Sequence, residues 1–130
     1  MNMQVGESHS VSVAAHTRWN DTGIELSKGQ TYHLKADGEW YDWKYNSKSC
    51  GYESRKIWLR LTEWLRRYRS ANWFALIGAV GMHRESYFVI GSGCEYQAER
   101  DGRLLCFAND LWLFYFNNSG CIELTVTRTA

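Results

Sequence analysis

Apolar and polar residues alternate every second position over much of the chain, the pattern of strands with one face buried. Val11 and Val13 share a face within residues 9–15, which read as a first strand. Asn20-Asp21-Thr22-Gly23 and Ser27-Lys28-Gly29 carry turn chemistry. Short strands are expected beside them at 24–26 and 31–35, with Tyr32, Leu34 and Ala36 on one face. Residues 41–51 are polar, aromatic and aperiodic, and read as a loop. Residues 72–80, 87–91 and 94–97 add strands, with a turn at 81–85. Two further apolar runs, 103–108 and 121–128, are bounded by Gly102 and Gly120 and predict the last two strands. In the final run Ile122, Leu124 and Val126 share a face, and Cys121 lies on the other.

One segment breaks this rhythm. Ile57, Leu61, Trp64, Leu65 and Tyr68 recur at helical spacing. Glu53 stands at the end where the helix dipole favours negative charge; Arg66, Arg67 and Arg69 stand at the other. Residues 53–69 therefore predict an amphipathic helix of about four turns. About eight strands with one helix make residues 1–130 a single all-β domain, a jelly-roll β-sandwich with an inserted amphipathic α-helix.

Composition narrows the class. A chain of 130 residues makes one domain with a sizeable core. Seven Trp and eight Tyr suit a sandwich core, and flat rings also stack on the C–H faces of sugars. The formal net charge of +1 gives no global attraction to nucleic acid or membrane. No apolar run reaches the ~20 residues of a membrane span. The first ten residues lack the apolar core of a signal peptide, so a cytoplasmic protein is expected. Cys50, Cys94, Cys106 and Cys121 are then expected as reduced thiols, most of them small buried hydrophobes.

Candidate chemistry concentrates between the last two strands. Asp110 and the carboxamides of Asn109, Asn117 and Asn118 stand among Trp112, Phe114, Tyr115 and Phe116. A calcium ion takes about six to eight oxygens at roughly 2.3–2.6 Å, from carboxylates, carboxamides, backbone carbonyls and water. Asp110, Asn117 and Asn118 supply such oxygens, although the same residues are ordinary turn formers.

The segment 110–120, with Asn117-Asn118-Ser119-Gly120 at its end, resembles the calcium loop of the PA-IL-like bacterial galactophilic lectins. The likeness extends to the flanking strands and to residues 29–40. It implies a galactose-binding-domain-like sandwich that binds galactose-like carbohydrate through Ca2+. It also implies ligation by the side chains of Asp110, Asn117 and Asn118 and by backbone carbonyls at Phe114 and at Asp42 or its neighbour. Sugar hydroxyls would meet Asp110, Asn117 and Asp42, with Leu111 alongside and Trp112, Trp43 or Tyr41 stacking on the ring. The family's tetramers make a homo-oligomer an expectation. Its sugar-selecting His and Gln have no counterpart, because residues 44–70 contain neither.

Other readings find less support. The segment 53–69 sets six basic residues against Glu53 and Glu63, and basic residues interleaved with Trp could grip a nucleic acid strand. With the overall charge near zero, a solvated helix face explains them as well. The histidines and cysteines are too scattered for a zinc motif. No nucleophile elbow or facing carboxylate pair points to an enzyme. The remaining alternative is a structural or protein-interaction domain whose Asp/Asn loop is a turn or holds a structural ion.

Overall fold

The structure, a computed structural model, describes residues 3–42, 45–51, 67–68, 71–110, 115–116 and 118–130. Among them, nine strands run in chain order: β1 (Ser8–Ala14), β2 (Asn20–Leu26), β3 (Thr31–Asp42), β4 (Tyr45–Lys48), β5 (Leu76–Val80), β6 (Phe88–Val89), β7 (Gly93–Gln97), β8 (Gly102–Ala108) and β9 (Asn118–Arg128). One antiparallel sheet has the order β1-β9-β3-β4, with β7 also paired to β3; the other has the order β2-β8-β5-β6. The expected jelly-roll sandwich is formed.

Alternation explains the first sheet. Its inner face carries Val13, Tyr32, Leu34, Trp40, Ile122, Leu124 and Val126, all buried, while Cys121 points outward as expected. These meet Ile24, Leu26, Leu76, Val80, Leu104 and Cys106 of the second sheet in one core. Each such aliphatic side chain contributes about 1.5–3 kcal/mol on burial. β5 and β8 do not alternate: Leu76–Val80 is buried throughout, and so are residues 104–108. The outer face of these strands is covered too, by a second cluster of Ala71, Ala75, Ile77, Phe107 and Tyr115 with Trp19, Tyr68 and Tyr87. A strand covered on both faces reads as a continuous apolar run.

Three expectations need correction, and a fourth falls mostly outside the described residues. Asn20-Asp21-Thr22-Gly23 is not a turn but lies within β2, where the register shifts between Asp21 and Glu25. The Asp21 carboxylate accepts the Gly23 N–H (3.0 Å), and the Thr22 hydroxyl donates to the Leu104 carbonyl (2.7 Å). Turn chemistry here makes a bulge. Residues 41–51 are not a continuous loop, because β3 runs on to Asp42 and β4 pairs with its end. Gly120 does not bound the last strand: it lies inside β9 at φ +84°, where an added Cβ would stand 3.0 Å from the Trp40 Cα. Of the expected helix 53–69, only Arg67 and Tyr68 are described, and neither is helical; the rest lies outside the described residues.

The expectation that most of the cysteines are buried is not met. Cys106 is buried and Cys94 intermediate, but Cys50 and Cys121 are exposed; all four are free.

Candidate functional site

The site builds outward from the paired ends of β3 and β9. In their ladder Trp40 opposes Gly120, Tyr41 opposes Ser119 and Asp42 opposes Asn118. Asn118 is 5% exposed. Its amide nitrogen donates to the Ala15 carbonyl at 3.1 Å, while its side-chain oxygen is buried and meets no hydrogen-bond donor among the described residues. A buried acceptor left in that state costs about 1–3 kcal/mol.

Asp110 follows the end of β8 and is 3% exposed. Its backbone carbonyl accepts the Arg67 N–H at 3.2 Å. Arg67 is buried as well, which corrects the expectation of a solvated basic helix end. Its guanidinium lies 3.6 Å from the Phe107 ring centroid and 4.3 Å from that of Trp19. It donates to the Tyr115 hydroxyl at 3.1 Å and to the Arg18 carbonyl at 2.5 Å. Weakly hydrated and planar, a guanidinium suits such an aromatic surround. It is not presented to solvent phosphates. Burial pushes the Tyr115 hydroxyl well above the ordinary tyrosine range; the Arg67 charge opposes this and the Asp110 charge adds to it. Tyr115 donates in turn to the Ala108 carbonyl.

Asn109, one residue earlier, is a fully buried clamp. Its amide nitrogen donates to the carbonyls of Tyr68 (2.8 Å), Ala71 (3.2 Å) and Asn72 (2.9 Å), and its side-chain oxygen accepts the Tyr68 N–H (2.8 Å). Its backbone carbonyl takes the Phe74 N–H at 2.7 Å. Phe74 is held at φ +61°, a left-handed conformation that costs a bulky residue on the order of 1–3 kcal/mol. The Phe74 carbonyl accepts the Trp40 indole N–H at 3.1 Å. A bridge Trp40–Phe74–Asn109 thus joins the end of β3, two residues before Asp42, to the end of β8, one residue before Asp110.

Asn20 completes the frame. Its side chain pairs with both the N–H and the carbonyl of Ala14 and donates to the Cys106 carbonyl at 3.1 Å. The ends of β1, β3 and β8 and the starts of β2 and β9 therefore gather at one end of the sandwich.

Of the residues expected at the site, Asp110, Asn118 and the backbone of Asp42 are placed at this end. Asn117, Phe114, Leu111, Trp112 and Trp43 lie outside the described residues. Tyr41 is 40% exposed, and Phe116, one of the loop aromatics not assigned a sugar contact from sequence, is 79% exposed. Asn20, Asn109 and Arg67 were also missed as supports. Their one signal is a polar side chain where the neighbouring pattern is apolar, which marks a buried hydrogen-bonding residue only after the fold is known.

The two-sheet β-sandwich is a fold that this chain shares with a solved lectin domain. A solved structure described as the N-terminal domain of EclA, a PllA-like lectin, superposes with a TM-score of 0.68 over 92% of this chain and 94% of that one, at 19% identity. No family model matches the sequence. No curated protein matches it either.

Proposed function

We propose that this chain is a carbohydrate-binding module whose site is completed by a calcium ion, divergent from the PA-IL-like galactophilic lectins. The observation that carries the reading is the buried side-chain oxygen of Asn118 beside the end of β3. A carboxamide oxygen is a calcium ligand, and a cation would offset the cost of burying it unpaired. The buried carboxyl group of Asp110 at the same end supplies charge of the right sign. The donors fit a hard cation: oxygen atoms only, from a carboxylate, a carboxamide and backbone carbonyls.

Asp110 and Asn118 would hold the ion by side chain and Asp42 by its carbonyl, with Asn117 and Phe114 as the further ligands that the resemblance implies. Bound there, calcium would take a vicinal pair of sugar hydroxyls as its remaining ligands. The exposed rings of Tyr41 and Phe116 offer flat apolar surface for a pyranose face. The lectin-like fold and the lectin description of the superposing structure support the same class.

A glycan array probed in calcium and again in EDTA tests this. Binding to a defined set of glycans that disappears on chelation is expected. Binding that persists unchanged in EDTA contradicts the metal's role, and no binding to any glycan removes the carbohydrate reading.

A second reading, a structural or interaction domain, draws on the bond from Asn118 to Ala15, since Asn118 also stitches β9 to the end of β1. It predicts no glycan binding in either buffer.

A further inference from the structure

We propose that a notch in one edge of β3 is a second ligand site, suited to a hydroxyl-bearing primary amine of the amino-sugar class. β9 pairs along one side of β3 from Tyr32 to Asp42. On the other side β7 pairs with residues 31–35 and β4 with residues 39–42. Residues 36–38 lie between them with no strand opposite among the described residues. A cavity of about 430 Å³ opens there, lined by Asp37, Gly38, Lys48, Ser49, Cys50 and Ser92 among others. That volume is within the range of small-molecule sites. Gly38 is four residues along β3 from Asp42, roughly 13 Å at the rise of a strand, so the notch is separate from the β3–β9 end.

The notch offers hydrogen bonds from its floor. The Ala36 N–H donates to the Ser92 carbonyl at 3.1 Å, so the even-numbered residues of β3 turn their backbone groups to this side. Gly38 is the next in that phase, and its N–H and carbonyl face the gap. Ser49 is 3% exposed. Its carbonyl accepts the Leu76 N–H at 2.8 Å, but among the described residues its hydroxyl has no hydrogen-bond partner. A buried hydroxyl that lines a cavity in this state can both donate to and accept from a hydroxyl of a ligand.

The charge around the notch selects a cation. Asp37 stands directly opposite Glu123 across the β3–β9 ladder, and both are exposed. Like charges so placed repel. Among the described residues neither carboxylate makes an ion pair or a side-chain hydrogen bond, although Lys35 lies on the same face. Lys48 stands opposite Glu39, so those two charges offset each other and leave Asp37 and Glu123 in excess. A metal is not the cation that fits, because no three His, Cys, Asp or Glu among the described residues are grouped to hold one. An ammonium group needs only hydrogen-bond acceptors. With its ammonium on Asp37, an amino sugar would set its hydroxyls against Ser49, Ser92 and the backbone of Gly38.

Titration of glucosamine in EDTA, followed by backbone amide NMR shifts, tests the site apart from any calcium at the β3–β9 end. At about pH 6 the amine is charged. The wild type is expected to bind with a dissociation constant on the order of 1 mM, with shifts centred on residues 36–39 and 48–50, and with slower labelling of Cys50. N-acetylglucosamine keeps the hydroxyls without the charge, and cyclohexylamine keeps the charge without the hydroxyls. Each is expected to bind at least about tenfold more weakly. Asp37→Asn, at an exposed position where it also relieves the repulsion from Glu123, should fold and lose about tenfold or more. Ser49→Ala should lose about threefold or more. No shift in the notch at about 20 mM glucosamine overturns the proposal, as does equal binding of either analogue or an affinity unchanged by Asp37→Asn.

Discussion

Asp42 stands directly opposite Asn118 across the β3–β9 ladder. These residues are 76 positions apart in the chain, yet their backbones are neighbours because both strands run unbroken to the same end of the sandwich. The pairing depends on Gly120, two residues into β9, and on the Trp40–Phe74–Asn109 bridge to β8. A site assembled here has one wall made of paired backbone and another hung on a single buried asparagine.

Gly120 should therefore be intolerant of a side chain. Its φ is +84°, and a Cβ would meet the Trp40 Cα at 3.0 Å and the Glu39 carbonyl at 3.2 Å. Gly120→Ala is expected to cost about 2 kcal/mol or more, from the strained backbone and the close contact together. Gly23→Ala is the control: its φ is +75°, but nothing lies within 4 Å of the added carbon. Urea unfolding of both variants measures the difference, and equal losses would show that the contact with β3 does not matter.

Asn109→Ala should be the more damaging change. It leaves the Ala71 carbonyl and the Tyr68 N–H without their partner, and the Tyr68 and Asn72 carbonyls with only the Ala71 and Ala75 N–H groups; each buried unsatisfied group costs about 1–3 kcal/mol. A loss of about 3 kcal/mol or more in equilibrium unfolding is expected, with Tyr68 and residues 71–75 losing amide protection first. A loss under about 1 kcal/mol would mean that those carbonyls find other partners.

How far the sequence was legible follows from these residues. The apolar runs of β5 and β8 and the alternation of β1 and β9 announce strands, because burial on two faces or one leaves a direct pattern. Asn20, Asn109, Asn118 and Gly120 do not: single-sequence rules assign Asn and Gly to turns, and each is used here inside or at the end of a strand. In Asn20 and Asn109 a side chain replaces ladder partners; in Gly120 a positive φ is held within an unbroken ladder. β4, Tyr-Asn-Ser-Lys, is a polar edge strand with no apolar face to betray it. Arg67 was misread for a similar reason, since a basic residue at helical spacing carries no mark of the aromatic rings that cover it.

The thiols give a pH-dependent test of burial. Cys50 and Cys121 are exposed and should react quickly with a thiol reagent at pH 8. Burial, reinforced by the Glu95 charge, pushes the Cys94 thiol from 9.0 up to about 11. About one molecule in a thousand then carries the Cys94 thiolate at pH 8, and its labelling should be slow. Cys106, raised further by burial alone, should label only on unfolding. Both shifts favour the neutral thiol in the folded state. The Cys94 contribution to stability is complete below about pH 9 and is lost as the pH rises through about 11, and the Cys106 contribution is lost over a still higher range. Four fast thiols at pH 8 would contradict the packing described.

The decisive measurement is a calorimetric titration of calcium into metal-free protein, made on the wild type and on Asn118→Leu. Leucine keeps the bulk and removes the oxygen, at a structural cost of about 1 kcal/mol for the lost bond to Ala15. With calcium up to about 10 mM, well above the weakest range of protein calcium sites, the wild type is expected to bind one ion and to melt higher. Folded Asn118→Leu is expected to do neither. No heat and no thermal shift in the wild type, or calcium binding unchanged by the leucine, would contradict a cation site at the β3–β9 end.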